Sequence, residues 1–127
     1  MTKENIAEKA VEYKHNGYNC AQAVVKALTE AEGIEADNIL LQTAGFAVGM
    51  GTMETTCGAL IGANMIVGIK TEGKGTIMKS KEFYNQFVDR CGASICKDLK
   101  GRDTGEVLCE CDQCIRNAIA AYECVMI

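Results

Sequence analysis

Along most of this chain, apolar positions recur every three to four residues, which is the signature of helices packed on one face. Ile6, Ala7, Ala10, Val11 and Lys14 keep that spacing and predict a helix over Asn5–Asn16 that Gly17 ends. A second helix is predicted from Cys20 to about Glu32, with Asn19 as its cap and Gly33 as its stop. Cys20, Val24, Ala27, Leu28 and Ala31 share one face of it, so Cys20 is expected to point inward. Ala36–Ala47 reads as a third helix, and Val48 to Thr52 as a flexible turn. Thr56 is the expected cap of a fourth helix from Cys57 to about Lys70. Gly58 and Gly62 lie four apart on it, so a neighbouring helix can come close.

After the loop Gly73-Lys74-Gly75, a fifth helix runs from Thr76 to Arg90 or Cys91, with Phe83, Phe87 and Cys91 on its apolar face. Lys97–Leu108 reads as a loop, and Asp112 to about Cys124 as the last helix. Few segments alternate at period two. The expected fold is all-α, a compact single-domain bundle of about five to six helices spanning residues 1–127. Proline is absent, and Ala, Glu, Lys and Leu are frequent, which agrees with that reading.

The most apolar region, Leu40–Ile69, is long enough to raise a transmembrane question. Glu54, three threonines and several glycines interrupt it, so it reads as two buried segments joined by a loop, without membrane insertion. So much apolar, small-residue helix also suggests self-association, with a homodimer as the expected form. The net charge of -4 is mild, and no basic cluster suggests nucleic acid. The start, Met1 to Asn5, is polar and lacks the apolar run of a secretory signal, which points to the cytoplasm. In a reducing compartment, clustered cysteines bind metals or do redox chemistry more often than they staple a fold.

Cysteine is where the chain departs from an ordinary helical domain. It holds eight, at 20, 57, 91, 96, 109, 111, 114 and 124, against one histidine and no tryptophan. Cys111-x-x-Cys114 sits where a helix begins, so the helix dipole should lower a thiol pKa there, and two thiols on one turn can converge on one ion. Cys109 lies beside the pair. Cys124 reads as apolar packing, and Cys91 divides between packing and chemistry. Paired zinc knuckles are missing, since only 111/114 has the spacing and 91/96 is wider. His15 reads as solvated, Glu54 as a solvated loop acid, and the methionines at 50, 53, 65 and 78 as packing. Gly49-Met50-Gly51 lacks the lysine and preceding strand of a phosphate loop.

Cys57-Gly58-Ala59-Leu60-Ile61-Gly62 is a Cys-Gly-Ala-x-x-Gly motif. With Cys20 before it and two cysteines after it, the chain resembles the redox-active family named C_GCAxxG_C_C. Asn19–Val24, Phe83–Arg90, Gly92, Cys96–Gly101 and Cys114–Ala118 are similar to its other conserved regions. The resemblance implies an all-helical redox protein whose signature cysteines are Cys20, Cys57, Cys96 and Cys114. It also implies a likeness to the cluster-binding part of split-Soret cytochromes, where an iron–sulfur centre accompanies haem. No Cys-x-x-Cys-His motif is present, so the haem does not carry over.

Three functions stay open on this reading. The leading expectation is electron transfer or redox sensing through an iron–sulfur cluster held by Cys20, Cys57, Cys96 and Cys114, with Cys111 or Cys109 as substitutes, toward an unidentified redox partner. The alternative is a thiol–disulfide oxidoreductase with Cys114 or Cys111 as nucleophile. The third is a metal module holding zinc without electron chemistry. Whether the protein is an enzyme is left open.

Overall fold

A computed structural model describes residues 5–127. The polar start read as non-secretory lies, but for Asn5, outside the described residues.

Helix α1, Ile6–His15, begins where the Asn5 side chain accepts a hydrogen bond from the Glu8 N–H at 3.2 Å. Helix α2, Cys20–Glu32, begins with a reciprocal cap. Asn19 accepts from the Gln22 N–H at 2.9 Å, and Gln22 accepts from the Asn19 N–H at 3.3 Å. The Asn19 amide also donates to the Ala44 carbonyl at 2.9 Å, tying the start of α2 to the chain that crosses it. Asn19→Ala should lower the unfolding free energy by about 0.5–2 kcal/mol, the range for a lost N-cap. Urea unfolding checks it, and a midpoint equal to wild type would refute it.

Helix α3, Asp37–Thr43, is shorter than its pattern predicts. The Thr43 hydroxyl bonds back to the Ile39 carbonyl, and the chain tightens into a 3-10 turn over Ala44–Phe46. Such back-bonding bends helices, and Gly45 does nothing to resist it. Helix α4, Gly58–Thr71, is capped by Cys57 rather than Thr56. Thr56 is instead held in an isolated antiparallel bridge to Ile95. Helices α5 (Thr76–Cys91), α6 (Cys96–Lys100) and α7 (Cys111–Met126) complete seven α-helices among the described residues, without a strand. The segment read as a loop over 97–108 therefore opens with a helical turn, ended by Gly101 at φ +71°. The fold is all-α.

Helix α4 is apolar on nearly every side because it is the central element. It packs against α2, α5 and α7, burying Ala59, Leu60, Ala63, Ile66 and Val67. Of the apolar region that suggested self-association, the α4 part is thus largely covered within the chain, while Leu41, Val48 and Met50 stay exposed. No helix among the described residues is long and apolar enough to cross a membrane. Phe83, Phe87 and Cys91 face the core from α5, as their spacing predicts. Ile115, Ala118, Ile119 and Tyr122 do so from α7, where the Tyr122 hydroxyl donates to Glu32 of α2 at 2.6 Å.

Candidate functional site: a cavity ringed by cysteines

Five cysteines meet at one end of the bundle because four helices begin there. Cys20, Cys96 and Cys111 are the first residues of α2, α6 and α7, Cys57 caps α4, and Cys114 lies on the first turn of α7. Together with Val48, Met53, Gly58 and Lys100 they line one cavity of about 230 Å³. Backbone pairing sets Cys57 beside Cys96: the Cys57 N–H donates to the Ser94 carbonyl at 2.8 Å, and the Cys96 N–H to the Thr55 carbonyl at 2.9 Å. Positive helix ends aimed at one space favour negative charge in it.

Glycine makes the approach possible. A Cβ at Gly58 would lie 2.9 Å from both the Ala47 Cα and the Phe46 carbonyl oxygen, and 3.1 Å from the Cys20 sulfur. A Cβ at Gly49 would lie 2.9 Å from the Cβ of Cys96. The segment beside the cavity is left-handed: Val48, Gly49, Met50, Gly51 and Met53 all have positive φ. For Met50, at φ 57° and ψ 38°, this costs about 1–2 kcal/mol. Its side chain is exposed, so Met50→Gly should stabilise the protein by roughly 1 kcal/mol after the entropy of an added glycine is counted. Chemical denaturation reads this, and a destabilised variant would show the strain to be misplaced. Outside this turn, Glu54 takes Arg102 at 2.8 Å and Lys97 at 3.0 Å, so the acid read as merely solvated ties the 49–54 segment to α6 and its following loop.

Burial governs the thiols. It pushes Cys20 up, against the opposing polarity of the Val48 backbone N–H. Contact with the Cys114 thiol and then burial push Cys57 far above the usual thiol range. Burial also raises Cys96. At Cys114, interaction with Cys57 acts downward, but Cys91 and burial outweigh it and the thiol is raised. The lowered pKa expected from the position of Cys114 at a helix start is therefore not what its surroundings give: Cys91 and burial push the thiol up. Lys100 donates to the Cys114 sulfur at 3.5 Å and to the Cys109 carbonyl at 3.2 Å. Burial acts to lower its pKa, but attraction to Cys114, Cys111 and Cys57 prevails, so the ammonium stays charged. Thiols gathered beside one ammonium become a strong soft-metal site once a cation displaces their protons.

The remaining cysteines separate from this cavity. Cys109 does not line it. Its sulfur lies 3.5 Å from that of Cys91, and Cys91, Cys109 and Cys114 have their sulfurs within 4.8 Å of one another, all buried. Cys114 is common to both groups. Cys124 is exposed, 3.7 Å from the Arg90 guanidinium, and is not the buried filler its position suggested. Cys20 points inward as its spacing predicts, lining the cavity and packing against the core while staying partly exposed. His15 is held by Asp112 at 2.8 Å, which also takes Lys14 at 3.0 Å. The sequence reading did not single out Lys100 or Asn117. Helical spacing carries the signal for both, since Lys100 is four residues after Cys96 and Asn117 three after Cys114.

A sequence model of a family described as "Putative redox-active protein (C_GCAxxG_C_C)" matches residues 18–125. Comparison with curated proteins returned no match, and neither did comparison with solved structures.

Proposed function

The chain belongs to the C_GCAxxG_C_C family, and from that membership we propose that it carries electrons, or senses redox state, through an iron–sulfur cluster held by Cys20, Cys57, Cys96 and Cys114. Cys111 is a fifth thiol able to substitute for one of them. The observation that carries this reading is the meeting of all five on one cavity at four helix starts.

The room favours a multi-atom group over a lone ion. About 230 Å³ is several times the ~30 Å³ that one water occupies in the liquid. Four thiolates around one zinc ion lie about 3.8 Å apart, as Zn–S bonds of ~2.3 Å require. Among the described residues the three sulfurs gathered within 4.8 Å of one another are those of Cys91, Cys109 and Cys114, of which only Cys114 is a signature thiol. A bound cluster supplies one-electron transfer at a potential set by nearby charge and hydrogen bonds. Lys100 offsets thiolate charge at the cavity wall. Backbone N–H groups of Ala59 and Leu60 act on Cys57, and that of Val48 on Cys20, in the sense that favours the anion.

Protein purified without oxygen should be brown, with iron and acid-labile sulfide in near-equal amounts and an electron paramagnetic resonance signal in one oxidation state. Colourless protein with stoichiometric zinc would replace this reading with a metal module. Colourless, metal-free protein that loses thiols reversibly would replace it with a dithiol mechanism.

A further inference from the structure

Two buried sulfurs outside the cavity remain without a role in that proposal. Cys91 ends α5, and Cys109 closes the loop before α7. Their sulfurs are 3.5 Å apart, and both residues are over nine-tenths buried. The Asn117 side-chain amide is aimed at the pair, with its nitrogen 3.2 Å from the Cys91 sulfur and 3.7 Å from that of Cys109. The same nitrogen lies 3.5 Å from the Arg90 carbonyl, but its shortest contact is with the Cys91 sulfur. Sulfur that carries negative charge during exchange calls for such a donor. We propose that Cys91 and Cys109 are a second redox site, a dithiol that closes to a disulfide when a hydroperoxide reaches it. This goes beyond the cluster reading and does not depend on it.

The surroundings set the class of oxidant. Residues 102–108 are exposed, and Leu108 leans over Gly92, where a Cβ would meet its Cδ1 at 3.7 Å. The N–H groups of Leu108 and Cys109 both donate to the Leu99 carbonyl, at 3.0 and 3.1 Å, which holds this cover down. A small neutral oxidant passes such a cover, and a bulky peptide disulfide does not. Cys109 borders the exposed segment and reacts first. Its sulfur bonds to one peroxide oxygen, the O–O bond breaks, and one water leaves. The Cys91 sulfur then displaces that oxygen: the S–S bond forms, the S–O bond breaks, and a second water leaves. Two thiols and one hydrogen peroxide give one disulfide and two waters, with two electrons passing from sulfur to oxygen. The sulfurs must close from 3.5 Å to about 2.05 Å, within reach of side-chain rotation and a small loop shift.

The test treats reduced, folded protein with one equivalent of hydrogen peroxide, alkylates the remaining thiols, and maps links by tandem mass spectrometry. The expected first product joins Cys91 to Cys109, leaves two fewer free thiols per chain, and reverts with dithiothreitol. One equivalent of oxidised glutathione should form that link more than about tenfold more slowly, as its bulk requires. Cys91→Ala should abolish the link yet load iron like wild type, and Cys96→Ser should keep the link while losing iron. The wild-type map decides the matter even if a variant fails to fold. A first link within the cavity set, a Cys109–Cys114 link, or a Cys109 sulfinic acid with no link overturns the proposal. Failure of iron loading in wild type bears only on the cluster reading.

Discussion

Iron and labile sulfide per chain should fall more than about tenfold at limiting iron when Cys57 becomes serine, while the fold survives. Both halves of that expectation come from the position of one residue. Cys57 is the N-cap of α4, and serine is among the preferred N-caps, so the helix start loses nothing. The buried hydroxyl can donate to the Cys114 sulfur, the neighbour that already governs the Cys57 thiol. What serine cannot provide is a soft thiolate for iron. The unfolding midpoint should stay within about 1 kcal/mol of wild type, the scale of one ordinary hydrogen bond. Cys96→Ser should behave likewise, since Cys96 opens α6 on the same cavity wall. A Cys57→Ser protein with its full complement of iron and sulfide would remove this residue from the ligand set. Because Cys111 lines the same cavity and can stand in for one ligand, full loading of a protein with both Cys57→Ser and Cys111→Ser would remove the cavity as the metal centre.

The second large effect lies away from any sulfur. Gly62→Val should destabilise the protein by about 3 kcal/mol or more, the upper end for overpacking. A Cβ at Gly62 would sit 2.7 Å from the Ala21 carbonyl oxygen and 3.3 Å from the Val25 Cγ2. The first contact is with backbone, so no rotamer change relieves it. Replacing a helical glycine gains up to ~1 kcal/mol in propensity, and that gain is smaller than the clash. Helices α2 and α4 must separate, carrying Cys20 away from Cys57, so iron loading should fall with stability. Gly68 is the control. It lies on the same helix with nothing within 4 Å of its would-be Cβ. Gly68→Ala should therefore stabilise by roughly 0.5–1 kcal/mol through propensity alone. Equal effects at the two glycines, read by urea unfolding, would show that the α2–α4 approach is not what Gly62 provides.

Helix existence was legible wherever local signals agreed. Asn19 announced the start of α2, and Phe83, Phe87 and Cys91 announced the face of α5. Where signals competed, boundaries moved. Thr43 shortened α3 by bonding to its own helix, and the pairing of Thr56 with Ile95 passed the cap of α4 to Cys57. That pairing links positions 39 residues apart, and no local window contains it.

The chain's order of residues settled by itself that helices form, which faces turn inward, and that sulfur carries the chemistry, because each follows from neighbours a few residues apart. Packing alone decided that four helix starts share one cavity, that Lys100 stands among the thiols, and that Cys91 and Cys109 touch each other rather than the cavity. Those facts depend on contacts between distant segments. They also depend on surroundings that no local window shows: Cys91 and then burial push the Cys114 thiol up, whereas a helix end acts on it only through local charge.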